Sequence, residues 1–421
     1  MINLKLEYNY KGEKMDHFTE TTRTGYGTNI GNSFKGIITG IIFVLISIGV
    51  LWWNEGRSVA QATALNEMKE KIITLPNTKY DAKFNNKAVL LQGSAKPLSV
   101  IEDSTFGLKS NGLNLRRNVE MYQWEEKSTS HTEDKLGGGT ETTTTYDYYK
   151  VWSSSYINSS SFKHPEGHQN PTMAYKSQSF STDASMGDYH LSQNIVSRFG
   201  TNMPIGDLSS LPKNIHGVIN NGSYLYKGYN STYPKVGDLK ITFTYAPAGD
   251  YTIAGKLQNR DIVAYTTSNG KNFVFTRFGI VSAEQIFQEE LDANSMMTWI
   301  LRFFGMLFMF IGFSMILKPL STIANVVPMF GSLIGGVTAL IAGAITLILG
   351  SIIIALAWFS SRPMLSLTII GIGFVIGAVL SKFGKKDVTT TPPPSRNSNP
   401  TPIKEDNNPT PSPRGTPPPR R

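Results

Sequence analysis

Long runs of apolar residues alternate with polar stretches along this chain, and four of the runs are long enough to cross a bilayer. A helix needs about 20 predominantly apolar residues to span the hydrocarbon core. The runs are Gly36–Trp53, Trp299–Leu317, Leu333–Phe359 and Met364–Phe383. The pattern predicts an integral membrane protein with four transmembrane α-helices.

Between the first two runs the pattern changes to the alternation of β-strands. In Asp238–Ala246, apolar residues alternate with lysine and threonine, which is typical of a half-buried strand. The stretches Leu115–Glu126 and Thr140–Trp152 flank the turn sequence LGGGT, so we expect them to pair as a long hairpin. These strands predict a large β-rich (α+β) extramembrane domain between helices 1 and 2.

Both connections between this domain and the membrane are predicted to be helical. Asn54–Ile72 is rich in helix formers and should continue the first span. Ser282 and Gln285 form a capping box at the start of a helix that runs into the second span. The domain is therefore expected to sit on two helical stalks.

The charges of the loops predict the orientation. Lys382, Lys385 and Lys386 follow the fourth run, whereas the short loop before it holds Arg362, so the C-terminus should be cytosolic. An even number of spans then places the N-terminus on the same side. The expected organisation is a cytosolic segment 1–35, helix 1 at 36–53, a lumenal or periplasmic domain 54–298, helices at 299–317, 333–359 and 364–383, and a disordered proline-rich basic tail 384–421.

Composition excludes several classes of chemistry and partner. The chain has no cysteine, which excludes disulfides and thiolate metal sites. More than half of the net charge of +9 lies in the tail after Ser381, where basic residues beside a membrane favour contact with anionic lipid. We therefore expect the lipid bilayer as a partner and no nucleic acid.

The candidates for catalysis are few. His164 and His168 lie close together in HPEGHQNP, but its prolines and glycine indicate a loop, not a helix with two metal ligands on one face. Glu120 could act as a general base if it lay in a cleft. The prediction is no metal, no cofactor and no catalytic residue. The alternative is a membrane-bound enzyme or lipid-handling protein with a site near Glu120 and His168.

The stretch LRRNVEMYQWEE (Leu115–Glu126) contains two arginines, three glutamates, a tyrosine and a tryptophan within twelve residues. As a strand it places Tyr122 and Trp124 on one face and further apolar residues on the other. We expect both faces to be covered, and Arg116 and Arg117 to be held by carboxylates. This predicts an architectural role.

The predicted spans carry few ionisable residues but repeat small residues at a spacing of four, as in Gly36 and Gly40 or Gly373 and Gly377. Such spacing lets helix backbones approach closely, either within one bundle or between subunits. We expect a homo-oligomer.

Several short motifs occur together in a fixed order. They are NEGR at Asn54–Arg57, LRRNVEMYQWEE, GHQNP at Gly167–Pro171, YPKVGDLKITFTY at Tyr233–Tyr245, NSMMTW before the second span and RPM at Arg362–Met364. With this order the chain resembles the transmembrane protein 43 family, also called LUMA. The signature positions, expected to be structural, are Asn54, Glu55, Gly56, Arg57, Arg116, Arg117, Glu120, Tyr122, Trp124, His168, Asn170, Pro171, Gly237 and Asp238.

The resemblance implies a four-span protein with one large domain and no known catalytic residues. The animal member is found in the endoplasmic reticulum and inner nuclear membrane, where it is linked to self-association and to lamins and emerin. The family also occurs in bacteria, where the plasma (inner) membrane is the corresponding location. We therefore expect a non-enzymatic scaffold that self-associates and organises membrane or envelope structure, with other membrane or envelope proteins as partners.

Overall fold

The computed structural model describes residues 7–8, 14–200, 203–359 and 363–383. Its helices are α1 Tyr26–Lys71, α2 Gln193–Val196, α3 Ala283–Ala324, α4 Pro328–Phe359 and α5 Pro363–Phe383. Its strands are β1 Glu7–Tyr8, β2 Lys14–Thr24, β3 Ile73–Thr74, β4 Ala88–Pro97, β5 Ile101–Asp103, β6 Leu108–Ser110, β7 Asn114–Asp134, β8 Thr140–Ser153, β9 Gln178–Ser181, β10 Ala184–Met186, β11 Tyr189–Leu191, β12 Met203–Pro204, β13 Asn214–Ile215, β14 Val218–Asn220, β15 Leu225–Lys227, β16 Leu239–Ala246, β17 Gly249–Gln258, β18 Asp261–Val263, β19 Tyr265–Thr266, β20 Asn272–Phe273 and β21 Phe275–Phe278.

Two sheets build the large domain between α1 and α3. The first has the strand order β1-β2-β8-β7-β16-β15-β14-β13, with β9 beside β7 and β12 beside β16. The second has the order β21-β17-β18-β11-β10-β4-β3, and β17 also pairs with β4. That extra pairing closes β17, β18, β11, β10 and β4 into a ring, which leaves these strands without a free edge.

The alternation in β16 predicted its environment correctly. Leu239, Ile241 and Phe243 are buried, and they pack with Val119 and Met121 of the neighbouring β7. A second core connects the domain to the helices, where residues of α1 and α3 pack against the second sheet. The predicted helical stalks are confirmed, because α1 continues to Lys71 and α3 begins at Ala283.

Within the part of the chain that the structure describes, three helices are long and apolar enough to cross a membrane, namely α1, α3 and α4. The prediction of four spans is therefore confirmed for three. The fourth predicted segment forms the 21-residue helix α5, whose central part Leu367–Val379 is apolar. Apolar composition predicted this helix within one residue of its bounds.

The predicted hairpin is confirmed, and it is longer than expected. β7 and β8 pair from Met121 opposite Ser153 to Asp134 opposite Thr140. The glycine-rich turn fits because Gly137 and Gly138 both have positive φ angles, 87° and 78°.

A third strand of this sheet is β2, which precedes α1 in the sequence and pairs with the hairpin. β2 pairs with β8 from Asp16 opposite Tyr148 to Thr24 opposite Thr140. We call β2, β8 and residues 124–134 of β7 the ribbon. Residues 14–24 thus belong to the same sheet as the large domain and are not part of a separate N-terminal segment 1–35, as the sequence had suggested.

The ribbon runs beside the helices because both of its ends are fixed. Its base continues into the large domain, which holds the C-terminal part of α1. At its tip, Asn29 of α1 donates to the Gly138 carbonyl at 3.1 Å, and the Gly137 amide donates to the Val326 carbonyl at 3.0 Å. Residues 124–134 extend about 35 Å as a strand, comparable to the hydrocarbon thickness of about 30 Å.

Candidate functional site

The first part of the site is the close contact between α1 and α3. A Cβ atom added at Gly40 would lie 2.6 Å from the carbonyl oxygen of Gly312, and one at Gly312 would lie 2.8 Å from that of Gly40. The two backbones therefore touch where both helices have glycine. Of the alternatives left open for the small-residue spacing, the structure uses Gly40 within the bundle.

A buried ion pair lies where α1 leaves the predicted first span. The Arg302 guanidinium of α3 donates to both carboxylate oxygens of Glu55, at 2.6 and 2.7 Å. Glu55 is completely buried, and the indole N–H of Trp358 on α4 also donates to its carboxylate. The Arg302 guanidinium lies over the rings of Trp299 and Trp358, 4.8 and 5.5 Å from their centroids. One carboxylate thus joins three helices.

A second polar network lies one turn away. Arg57 donates to Asn294 at 3.1 Å, to Asn54 at 3.2 Å and to the Thr298 hydroxyl at 3.1 Å. Asn54 donates to the Thr298 carbonyl at 3.1 Å, and Asn294 to the Ser58 carbonyl at 3.0 Å. These side chains connect α1 to α3 at the level where apolar helix gives way to the stalks.

The NEGR motif is thereby explained, apart from its glycine. Asn54 and Glu55 are buried, and Arg57 is partly buried. Gly56 is exposed, and an added Cβ would meet no atom within 4 Å. Breaking a buried charge pair by removing one partner is far more costly than losing a surface pair, so this cluster fixes the relative position of the helices.

The second part of the site is the base of the ribbon, where a tight turn holds β7. The Tyr122 amide donates to the Asp238 carbonyl at 2.9 Å, and the Gly237 amide donates to the Tyr122 carbonyl at 2.8 Å. Asp238 accepts from the Tyr226 hydroxyl at 2.6 Å. Gly237 has a φ of 98°, and a Cβ there would lie 2.7 Å from the Pro171 ring. Glycine is required at this position by both conformation and space.

The GHQNP loop covers the other face of β7. The Asn170 side chain accepts from the Trp124 amide at 2.7 Å and donates to the Trp124 carbonyl at 2.9 Å, as a neighbouring strand would. The buried His168 ring stacks on Tyr148, with centroids 4.0 Å apart, and meets Trp124 edge-on at 4.8 Å. Tyr122 is buried as predicted, whereas Trp124 is only partly buried.

The same loop touches the N-terminal strand. Phe18 of β2 stacks on His164 with centroids 4.2 Å apart, and the Nε2 atom of His168 lies 3.6 Å from an Asp16 carboxylate oxygen. The Tyr148 hydroxyl donates to Glu126 and accepts from the His164 amide. Burial, together with the hydrogen bond to Glu126, raises the pKa of Tyr148 above its ordinary value. The phenol therefore stays neutral at physiological pH.

The two arginines of LRRNVEMYQWEE have different environments. Arg117 is buried and donates to both oxygens of the fully buried Asp103 at 2.7 Å, with Phe106 stacked near the guanidinium. Arg116 is exposed. The prediction that carboxylates hold both arginines is correct for Arg117 and wrong for Arg116, because successive side chains of a strand point to opposite faces.

The structure does not bring Glu120 and His168 together. Glu120 is partly exposed and lies opposite Lys240 of β16. Its strand position is about 13 Å from Trp124, against which His168 packs. Among the described residues, Glu120 and His168 share no hydrogen bond or ion pair. In that part of the chain no three His, Asp or Glu side chains are grouped so that they could hold a metal ion.

The partners of the signature residues were harder to find in the sequence. Arg302 gave a signal, because it is an isolated charge in the first turn of an apolar run, and such charges need a partner. Trp358 and Asp103 gave no such signal, because neither residue belongs to a motif, and Trp358 lies 303 residues from Glu55.

Apolar helices fused to a β-rich domain through a buried polar junction define an integral membrane protein. The sequence profile of the family described as Transmembrane protein 43 matches residues 121–363. The chain belongs to this family.

Individual relatives match along most of their length. Transmembrane protein 43 of Homo sapiens is 29% identical over 372 residues, covering 84% of this chain and 92% of the human one. That of Pongo abelii is 29% identical over 387 residues, covering 87% and 95%. The Transmembrane protein 43 homolog of Drosophila melanogaster is 28% identical over 301 residues, covering 70% and 80%. No solved structure matches the chain.

Proposed function

We propose that the protein is a non-enzymatic membrane scaffold, which self-associates in the bilayer and holds its β-rich domain at a fixed position relative to the membrane. The observation that carries this proposal is the ribbon, a polar sheet placed beside apolar helices. The proposal includes the lipid bilayer and other membrane or envelope proteins as partners.

Rigid attachment of the domain supports a scaffolding role. α1 and α3 run from their apolar segments into the domain without a break in either helix. The Glu55–Arg302 pair and the Arg57 network join them at the boundary. A domain on such a support cannot swing freely, so a partner bound to it would be positioned relative to the bilayer.

Self-association is supported by the surface of the ribbon. On one face Thr129, Thr145 and Thr19 lie side by side, and on the other Ser130, Thr144 and Glu20 do so. Polar strands with a free edge cannot contact lipid hydrocarbon, and they are tolerated at membrane depth only where protein or water covers them. A single copy leaves the ribbon uncovered, and neighbouring copies would supply the cover.

Shortening the ribbon tests this proposal. Lys127 and Asp147 lie opposite each other, so an Asn-Gly turn can replace residues 128–146 and keep the base of the hairpin. Native mass spectrometry of the protein released from lipid nanodiscs reports the number of copies. We expect oligomers for the full chain and monomers for the shortened one.

Deletion of residues 384–421 is the control, because it removes a longer piece of chain that lies outside the ribbon in the sequence. It should leave both the oligomer and the melting temperature unchanged. A full chain that is monomeric in nanodiscs would overturn the proposal, as would a shortened ribbon that leaves the copy number unchanged.

The proposed orientation follows from the charges of the loops. Lys382, Lys385 and Lys386 favour a cytosolic C-terminus, and α1 is proposed to begin on the same side. The membrane would be the plasma (inner) membrane in a bacterium, or the endoplasmic reticulum and inner nuclear membrane in a eukaryote. A fourth span formed by Met364–Phe383 is part of this proposal.

A further inference from the structure

A polar cavity lies at the end of the helices where the ribbon tip meets them. Its volume is about 400 Å³, and it is lined by the start of α1, the end of α3, the first turns of α4 and the tip of the ribbon. The turn between α3 and α4 exposes Val326, Val327, Met329 and Phe330 beside it. An opening with polar walls next to exposed apolar residues at the end of spanning helices is suited to a lipid headgroup.

Two opposite charges line this cavity without neutralising each other. Lys318 comes from α3 and Asp134 from the end of β7. Neither side chain forms an ion pair or hydrogen bond with another residue of the part of the chain that the structure describes. One cation and one anion on the walls of a single cavity match a zwitterion.

The rest of the lining is rich in hydrogen-bonding groups. The hydroxyls of Ser321 and Thr322 donate to the Lys318 carbonyl and that of Ser332 to the Met329 carbonyl, so towards a ligand these oxygens act as acceptors. The first turns of α4 bring the positive end of a helix dipole to the same space. The Oδ1 atom of Asn325, which also lines the cavity, is buried and has no hydrogen-bond partner. An unsatisfied buried polar atom costs free energy that a ligand donor would recover.

The chemistry of the walls distinguishes between zwitterionic headgroups. A quaternary ammonium is recognised by aromatic rings, whereas a primary ammonium donates hydrogen bonds to carboxylate and amide oxygens. Among the described residues, none of those that line the cavity is aromatic. The lining therefore fits a primary ammonium beside Asp134 and a phosphate beside Lys318.

We propose that this cavity binds the headgroup of a phospholipid that carries a phosphate and a primary ammonium, as in phosphatidylethanolamine. Lys318 and the positive end of the α4 dipole hold the phosphate. Asp134 and Asn325 accept from the ammonium. The acyl chains lie along the exposed apolar side chains of the α3–α4 turn.

Lipid exchange tests the site on the full-length protein. The protein is delipidated in detergent, offered equimolar phosphatidylethanolamine, phosphatidylcholine and phosphatidylglycerol, and analysed by native mass spectrometry for retained lipid. We expect phosphatidylethanolamine to be retained in preference to the other two. Asp134→Asn should lower the preference over phosphatidylcholine by about tenfold, as expected for the loss of one charge-assisted hydrogen bond. Lys318→Gln should lower retention of all three lipids.

Glu133→Gln is the matched control, because Glu133 is the neighbour of Asp134 on the opposite face of β7 and pairs with Lys135. It should leave the lipid preference unchanged, and all three variants should keep the melting temperature of the parent. Inorganic phosphate and soluble phosphoethanolamine serve as competitors, and the proposal expects neither to displace the lipid at equal concentration. Equal retention of the three lipids by the parent protein would overturn the proposal. So would an unchanged preference in Asp134→Asn, or displacement by inorganic phosphate.

Discussion

The helix bundle and the ribbon run side by side, but their surfaces are opposite in character. α1 has 46 residues and is about 69 Å long, and the ribbon, at residues 124–134 of β7, extends about 35 Å beside it. The bundle exposes large apolar side chains such as Leu45 and Phe303, 62% and 64% exposed. The ribbon exposes threonine, serine and charged residues on both faces.

This difference shows that the two regions are stabilised in different ways. The bundle is stabilised by the close backbone contact at Gly40 and Gly312 and by one buried charge cluster. Packing apolar side chains together contributes little free energy here, because the lipid around them is equally apolar. The ribbon relies on strand pairing and on the aromatic and hydrogen-bonded anchor at its base. We therefore expect a substitution in one region to lower the stability of that region and to leave the other unchanged.

Glu55→Ala should have the largest effect. It leaves the Arg302 guanidinium buried without its carboxylate and removes the acceptor of Trp358, which costs about 3–5 kcal/mol for a buried pair. Thermal unfolding of the full-length variant in detergent should show loss of helix packing at a lower temperature than in the parent. The β-sheet signal of the same sample should persist to a higher temperature. Glu70→Ala, at an exposed position of the same helix, is the control and should change little. A normal melting curve for Glu55→Ala would show that the charge cluster does not hold the bundle.

Gly40→Ala should have an intermediate effect on the bundle and none on the ribbon. The added Cβ meets the Gly312 carbonyl at 2.6 Å, and such overpacking typically costs about 1–3 kcal/mol. Gly49→Ala is the matched control, because a Cβ there meets no atom within 4 Å. Equal melting temperatures for the two variants would contradict the close contact of α1 and α3.

Tyr148→Phe should have the smallest effect and should be confined to the ribbon base. It removes the hydrogen bond to Glu126 and costs about 1 kcal/mol at neutral pH. Because the pKa of Tyr148 is raised in the folded state, its contribution is fully present below the unfolded value of about 10 and is lost as the pH rises through the folded value. Unfolding followed from pH 7 into the alkaline range should show this loss in the parent. A parent and variant with the same alkaline dependence would exclude Tyr148 as its source.

The regular parts of this architecture could be predicted from the sequence because they depend on local patterns. Alternation in β16, the glycine turn of the hairpin and the cap at Ser282 each require only neighbouring residues, and all three are present. The apolar runs predicted helices for the same reason. The charge of Arg302 signalled a need for a partner, but not which residue supplies it.

The remaining features depend on contacts between distant residues. Pairing of β2 with β8 joins residues more than a hundred positions apart, and the threonine-rich sequences of both strands would fit many registers. Asp103 lies in a short strand with no motif, so its bond to Arg117 could not be predicted. The ribbon and the headgroup cavity at its tip therefore emerge only from the three-dimensional structure.

The most direct test of the contrast between bundle and ribbon compares how strongly each contacts lipid chains at the same depth in the membrane. Since the chain has no cysteine, a single fluorophore can be attached at Thr129→Cys in the ribbon or at Ile42→Cys in α1, both exposed and both about 15–20 Å from the ribbon tip. Nitroxide-labelled lipid chains are then added to the reconstituted protein as quenchers. The account predicts strong quenching at residue 42 and little at residue 129, where protein or water covers the ribbon. Equal quenching at the two positions would mean that the ribbon lies in lipid, and would contradict the account.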